Sequence, residues 1–193
     1  MPAVATACLA GGARFIQIRA KTAPSAALLR MVEDVVERAH EVGATVIVND
    51  RADIARLAGA DGVHLGQDDL EPAMARRVVG GEAIVGYSTH SIEQIRAACS
   101  LPIDYLAVGP IFGTATKDTG SGAVGTELLS AARAILSKNG VELPIVAIGG
   151  ITLERVPSVI RAGASSVAVI SDLLSTGDPE SRVRQYLSKI NGV

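Results

Sequence analysis

Charged side chains recur just after the short apolar runs of this chain. Arg19 and Lys21 close the run that begins at residue 14, Asp50 follows the run from residue 44, and Asp69 follows the run from residue 61. Two cations at positions i and i+2 of an extended segment share one face and suit phosphate oxygens. Mg²⁺ commonly bridges carboxylates and substrate phosphates. These residue types therefore predict a site for Mg²⁺ and a phosphorylated ligand.

Each of these residues also has a purely structural interpretation. An isolated pair such as Arg19 and Lys21 is more often a solvated surface pair than a binding site. Asp50, Asp53 and Asp69 all stand where a helical pattern begins, and aspartate commonly caps a helix there. We expect capping for Asp53 and metal contact for Asp50.

A second anion site is predicted near the C-terminus. The apolar run from residue 144 ends in Gly149 and Gly150, whose backbone N–H groups can approach an anion closely. A tight turn explains this glycine pair about as well. Ser171 ends the next apolar run, and the two features together match the phosphate site after the last strands of a TIM barrel.

Other chemistry is not indicated. His64 and His90 could each be imagined as a base beside Ser88, but no GxSxG elbow surrounds a serine and no aspartate is placed to orient His90. The segment from 113 to 122 has its lysine before its later glycines, unlike an ATP-binding P-loop.

The sequence predicts that these residues are positioned by repeated units of one strand and one helix. Between the apolar runs lie segments with helical periodicity, several of which end in glycine, and no hairpin signal occurs. Such units form a parallel sheet with right-handed crossovers, either open or closed into a barrel. The C-terminal anion site favours the barrel. The seven predicted strands begin near residues 14, 44, 61, 83, 104, 144 and 166.

Bulk composition narrows the class further. The 193 residues suit one domain, 1–193, and the 48% hydrophobic share with 3% aromatics suits buried parallel strands. A net charge of −2 without charged blocks argues against nucleic acid or membrane partners. Cys8 and Cys99 lack metal or redox spacing. We expect a soluble cytoplasmic protein that acts on small molecules.

The motifs resemble the thiamine phosphate synthase family, in order, from about residue 7 onward. They are QIRAK (17–21), ND (49–50), ADGVHLGQDD (60–69), YSTH (87–90), GPIFGTATK (109–117), AIGGI (147–151) and VIS (169–171). The resemblance implies a TIM barrel that joins 4-amino-2-methyl-5-hydroxymethylpyrimidine pyrophosphate to a thiazole phosphate with Mg²⁺. It also implies pyrophosphate release without a covalent nucleophile.

The same resemblance implies a role for each matching residue. Asp50 and Asp69 would bind Mg²⁺, and the implied catalytic residues are Arg19, Lys21, Ser88 and Lys117. Substrate contacts are implied for Gln17, Arg19, Lys21, Asn49, Ser88, Thr114, Thr116, Lys117, Gly150, Ile170 and Ser171.

The chain departs from the family pattern in two places. Gly120 and Gly122 leave open whether the segment 118–125 closes as a lid. The chain also starts within the helix that normally follows the first strand, so we expect seven strands. The gap would be filled by rearranged N-terminal residues or by a neighbouring protomer of a homo-oligomer. Two alternative functions stay open: a thiazole tautomerase, which generally lacks the ND and TxTK elements, and a non-catalytic phosphate-binding barrel.

Overall fold

A computed structural model describes residues 2–113 and 122–193 and contains one parallel sheet within those ranges. Its strands lie side by side in chain order, and every neighbouring pair is parallel. The strands begin within two residues of the predicted positions, which confirms the seven-strand prediction. They are β1 Phe15–Ile18, β2 Thr45–Asn49, β3 Gly62–Leu65, β4 Ile84–Thr89, β5 Tyr105–Val108, β6 Ile145–Ile148 and β7 Ser166–Ala168.

Helices connect the strands and return the chain to the start of the next one. Gly43, Gly59 and Gly140 follow three of these helices with φ near +66°, a conformation that glycine adopts without steric cost. The helices are α1 Pro2–Ala10, α2 Ser25–His40, α3 Ala52–Leu57, α4 Pro72–Val79, α5 Ile92–Ala98, α6 Glu127–Lys138, α7 Val156–Arg161, α8 Ser171–Ser175 and α9 Pro179–Asn191, with a 3₁₀ turn at Leu153–Arg155.

The apolar core lies between the outer face of the sheet and the helices. Strand residues alternate between the two faces of a sheet, so that Val46 and Val48 of β2 face outward whereas Ile47 faces inward. The outward set is completely buried and belongs to one continuous cluster with α2 residues such as Val32 and Val35. The low aromatic content is therefore compatible with a full core of Val, Ile, Leu and Ala.

The inner face of the sheet carries several polar side chains among apolar ones such as Ile47. Strand register places side chains that share this face opposite one another, for example Asn49 beside His64 and Ser88 beside Ala107. Other polar side chains on the same face are Gln17 of β1 and Tyr105 of β5. This group of polar side chains on the inner face is the first structural sign of a binding site.

The sheet is the curled arrangement of a TIM-type barrel with one strand fewer than eight, which confirms the predicted fold class. β1 and β7 are its edges. Helix α1 precedes β1 and packs against both α2 and α9. Within the described ranges, no helix is both long and apolar enough to cross a membrane.

Candidate functional site

Three of the predicted site residues meet at the ends of β1, β2 and β3. Lys21 Nζ lies 3.1 Å from the Asp50 carboxylate. Asp50 has a φ of 66°, a left-handed conformation that is uncommon for residues other than glycine, and its N–H donates to His64 O at 2.8 Å. This turn directs the Asp50 carboxylate over the strand ends, where strained backbone conformations often mark functional sites.

Asp69 lies beside Asp50. Its carboxylate accepts a 2.7 Å hydrogen bond from the Gly66 N–H, so Asp69 closes its own loop and does not cap α4. Burial raises the pKa of Asp69, and the Asp50 carboxyl raises it further, although the Gly66 N–H opposes both. Two neighbouring carboxylates disfavour each other's ionised form, and a bound cation would relieve that repulsion.

The carboxylate pair suits Mg²⁺ in its donor chemistry. Within the described residues, no three acidic, histidine or cysteine side chains form a group that could hold a metal ion. Asp50 and Asp69 together could supply two carboxylates. Mg²⁺ is commonly held by one or two carboxylates together with waters and substrate phosphates. The two carboxylates therefore suit a metal ion that binds together with a phosphorylated ligand.

Arg19 carries an unsatisfied donor. It follows β1 on the inward-facing side, two residues beyond Gln17, and its Nε is buried without a hydrogen-bond partner in residues 2–113 or 122–193. A buried guanidinium N–H without an acceptor lowers the stability of the folded protein. Such groups are therefore usually hydrogen-bonded to a ligand or to water. The carboxylates and Lys21 lie at the same end of the sheet, which makes a phosphate group a suitable acceptor.

A hydrogen-bonded network crosses the inner face below this cluster. His64 Nδ1 lies 2.7 Å from the Tyr105 hydroxyl, and His64 Nε2 lies 2.8 Å from Ser88 Oγ. Gln17 also hydrogen-bonds Tyr105, whose pKa is raised strongly by burial. Gly86 makes room for this ring, because a Cβ there would lie about 2.0 Å from it.

Sequence reasoning considered His64 beside Ser88 only as a nucleophile and base pair, which it set aside, and it missed the link to Tyr105 and Gln17. Pairing His64 with Ser88 depends on the register between β3 and β4, which the chain order does not specify. The recoverable signal was the spacing of Gly86 and Ser88, which lie two residues apart on β4 and therefore at the same face of the sheet. Tyr105 on the other nitrogen of His64 is a neutral partner, unlike the carboxylate of a catalytic triad.

The C-terminal anion site has the predicted glycine pair. Gly149 and Gly150 have φ values of 96° and 60°, and the loop after β5 packs closely on them. A Cβ on Gly150 would lie 2.5 Å from Gly113 O. Ile170 and Ser171 stand at the start of α8, one strand further along the sheet. Gly150, Ile170 and Ser171 thus occupy the carboxyl ends of β6 and β7.

A partly buried ion pair joins this region to the last helix. Arg182 makes a bidentate contact with Asp172, with distances of 2.8 to 3.0 Å. The Tyr186 hydroxyl donates to the same carboxylate. Because Asp172 directly follows Ser171, this contact fixes the start of α8 against α9.

The remaining predictions have mixed outcomes. Asn49 ends β2 beside His64 and is nearly buried. Thr114, Thr116, Lys117 and residues 118–121 of the segment 118–125 lie outside the described residues. The capping prediction for Asp53 is wrong, because α3 begins at Ala52 and Asp53 instead pairs with Arg51 at 2.6 Å. Cys8 and Cys99 are free thiols.

Comparison with known proteins gives consistent matches. A family model described as thiamine monophosphate synthase matches residues 1–173. The thiamine-phosphate synthase of Koribacter versatilis is 48% identical over 179 residues, covering 93% of this chain and 81% of that protein. The corresponding protein of Anaeromyxobacter dehalogenans is 45% identical over 180 residues, covering 93% and 78%. A solved thiamine phosphate pyrophosphorylase from Pyrococcus furiosus superposes with a TM-score of 0.88 at 29% identity, covering 99% of this chain and 89% of that one.

Proposed function

Because the chain belongs to the thiamine monophosphate synthase family, we propose that it is a transferase that makes thiamine phosphate. Its substrates would be 4-amino-2-methyl-5-hydroxymethylpyrimidine pyrophosphate and a thiazole phosphate. The thiazole nitrogen forms a carbon–nitrogen bond to the pyrimidine methylene carbon. The carbon–oxygen bond to pyrophosphate breaks, and pyrophosphate leaves with the bonding electrons.

The observation that carries this proposal is the buried Nε of Arg19, which has no partner among the described residues, at the same end of the sheet as a carboxylate pair. A site that offers an unused cationic donor and two repelling carboxylates is complementary to a phosphate group with its cation. Neither feature stabilises the protein without a ligand. Both gain a partner when a pyrophosphate and Mg²⁺ bind together.

Mg²⁺ would be held by Asp50 and Asp69 and would supply positive charge to the phosphate oxygens when bound. Arg19 and Lys21 donate to the same anion, and their charge stabilises the negative charge that develops as pyrophosphate leaves. The match of GPIFGTATK (109–117) to the family motif adds Lys117 to this cationic set. Thr114 and Thr116 of the same motif would help to hold the substrates.

The inner face orients the rings. Gln17, Asn49 and Ser88 would contact the pyrimidine, and His64 holds the Ser88 hydroxyl at 2.8 Å. Gly150, Ile170 and Ser171 would hold the thiazole phosphate at the ends of β6 and β7. Holding both rings in a reactive geometry lowers the activation barrier, because the entropy of bringing the two substrates together is lost on binding and not in the chemical step.

The direct test incubates the protein with both substrates and Mg²⁺ and follows thiamine phosphate by mass spectrometry. We expect product formation that falls by about 10² to 10³ in Asp50→Asn and Lys117→Ala, since loss of one charge-stabilising group has about that effect. Arg30→Ala, at an exposed position of α2, is the matched control and should retain full turnover. Tight substrate binding without product would instead favour a phosphate-binding barrel.

A further inference from the structure

The C-terminal anion site consists of two arms that leave the sheet from different strands. The first arm, residues 149–151, follows β6, and the second arm, residues 170–172, follows β7. Gly150 of the first arm is followed directly by Ile151, and Ser171 of the second arm is followed directly by Asp172. The separation between Gly150 and Ser171 therefore depends on what holds the two residues that follow them.

One side chain of α9 contacts both arms. The Tyr186 hydroxyl donates to the Asp172 carboxylate and lies 3.3 Å from the Ile151 carbonyl oxygen. Tyr186 is 5% exposed, so water competes little for these contacts. The hydroxyl has a single proton, and the charged carboxylate is the stronger acceptor of the two. One buried hydroxyl thus links the residue after Gly150 to the residue after Ser171.

The surroundings of this hydroxyl keep it protonated and in place. Burial raises the pKa of Tyr186, and the hydrogen bond to Asp172 raises it further, so the phenol stays a donor at physiological pH. Arg182 holds the same carboxylate in a bidentate contact, and its guanidinium carbon lies 5.7 Å from the centroid of the Tyr186 ring. Asp172 is therefore held by two side chains of α9, and Tyr186 extends this contact to the first arm.

The first arm is also fixed by its own neighbours. The Phe112 N–H donates to Gly149 O at 3.0 Å, and Arg155 Nη1 donates to Gly150 O at 2.7 Å. The Arg155 guanidinium also lies over the Phe112 ring, 4.3 Å from its centroid. The first arm is thus a fixed reference, and Tyr186 links the second arm to it.

We propose that Tyr186 is a positioning residue that sets the separation between Gly150 and Ser171 and so adapts the two arms to one phosphate group. This inference rests on the proposed function, in which the two arms hold the thiazole phosphate. Tyr186 acts through Ile151 and Asp172 and not on the reacting atoms. Arms that are ordered before the ligand binds lose less conformational entropy on binding, which raises the affinity for the phosphate.

The experiment replaces Tyr186 by phenylalanine, which removes the hydroxyl and keeps the ring. Ser188→Ala is the matched control, because it removes an exposed hydroxyl from the same helix. Isothermal titration calorimetry on the full chain and both variants measures the Kd for the thiazole phosphate and, separately, for pyrophosphate with Mg²⁺. Steady-state kinetics then gives a KM for each of the two substrates.

In Tyr186→Phe, we expect the Kd and KM for the thiazole phosphate to rise roughly 3- to 10-fold, the effect of one lost hydrogen bond. The Kd for pyrophosphate and the KM for the pyrimidine substrate should stay constant, and Ser188→Ala should match the unaltered chain in all four values. Unchanged thiazole phosphate affinity in Tyr186→Phe would overturn the inference. So would a parallel loss of affinity for both ligands, because a general structural role weakens both sites. If the unaltered chain does not bind the thiazole phosphate, the proposed function fails together with the inference.

Discussion

Replacing Arg19 by methionine separates a binding role from a structural one. The Arg19 Nε is buried and unpartnered within the described ranges, and such a donor costs about 1–3 kcal/mol in the ligand-free protein. Arg19→Met retains an apolar stem and removes that donor, so the free energy of unfolding should stay constant or rise. For a chain of this size, each kcal/mol corresponds to roughly 2–4 °C in Tm.

The same substitution should weaken anion binding. A hydrogen bond to a charged group contributes about 1.5–3 kcal/mol, which corresponds to roughly 10- to 150-fold in the Kd for pyrophosphate. Thermal melts and calorimetric titration with pyrophosphate and Mg²⁺ measure both quantities, with Arg30→Met of the exposed α2 surface as control. A lower Tm combined with unchanged pyrophosphate affinity would show that Arg19 is structural and would refute this reasoning.

Three further substitutions test other parts of the site. Asp69→Asn removes a carboxyl whose pKa is raised, so its ionised form is disfavoured in the fold; the metal-free Tm at neutral pH should rise, while the increase in Tm caused by Mg²⁺ shrinks. An undiminished Mg²⁺ effect would exclude Asp69 as a ligand. Gly150→Ala places a Cβ 2.5 Å from Gly113 O at a φ of 60°, and the backbone alone costs about 1–2 kcal/mol, so both Tm and calorimetric affinity for the thiazole phosphate should fall. Arg182→Ala leaves the Asp172 carboxylate without its bidentate partner and should lower stability by about 1–3 kcal/mol. Chemical denaturation of Asp172→Ala and of the double variant should show strong coupling between the two residues, and additive effects would contradict it.

The strand pattern was predictable because it depends on local composition. Buried parallel strands are short runs of Val, Ile and Leu, and glycines such as Gly43 and Gly140 end the helices before them. These signals lie within a few residues of one another. In a parallel sheet, the polar residues that follow each run lie at the same end of the sheet. For this reason the sequence alone predicted that Lys21, Asp50 and Asp69 belong to one site.

The misjudged features depend on geometry that local sequence does not encode. The left-handed conformation of Asp50 turns the chain sharply after β2, and α3 begins two residues later at Ala52. Asp53 consequently falls inside the first turn and cannot cap it. The contact between His64 and Ser88 likewise requires the register of two strands that are separated by a helix.

Tyr105 joins Gln17 of β1 to the candidate site. The Gln17 side chain hydrogen-bonds Tyr105, which contacts His64 and through it Ser88. Tyr105→Phe removes the hydroxyl that holds one nitrogen of the buried His64 ring, so we expect the Ser88 hydroxyl to be held less firmly and kcat/KM to fall. A double-mutant cycle of Tyr105→Phe and Ser88→Ala on kcat/KM measures whether the two residues act as one network, and a coupling energy of zero would show that they act independently.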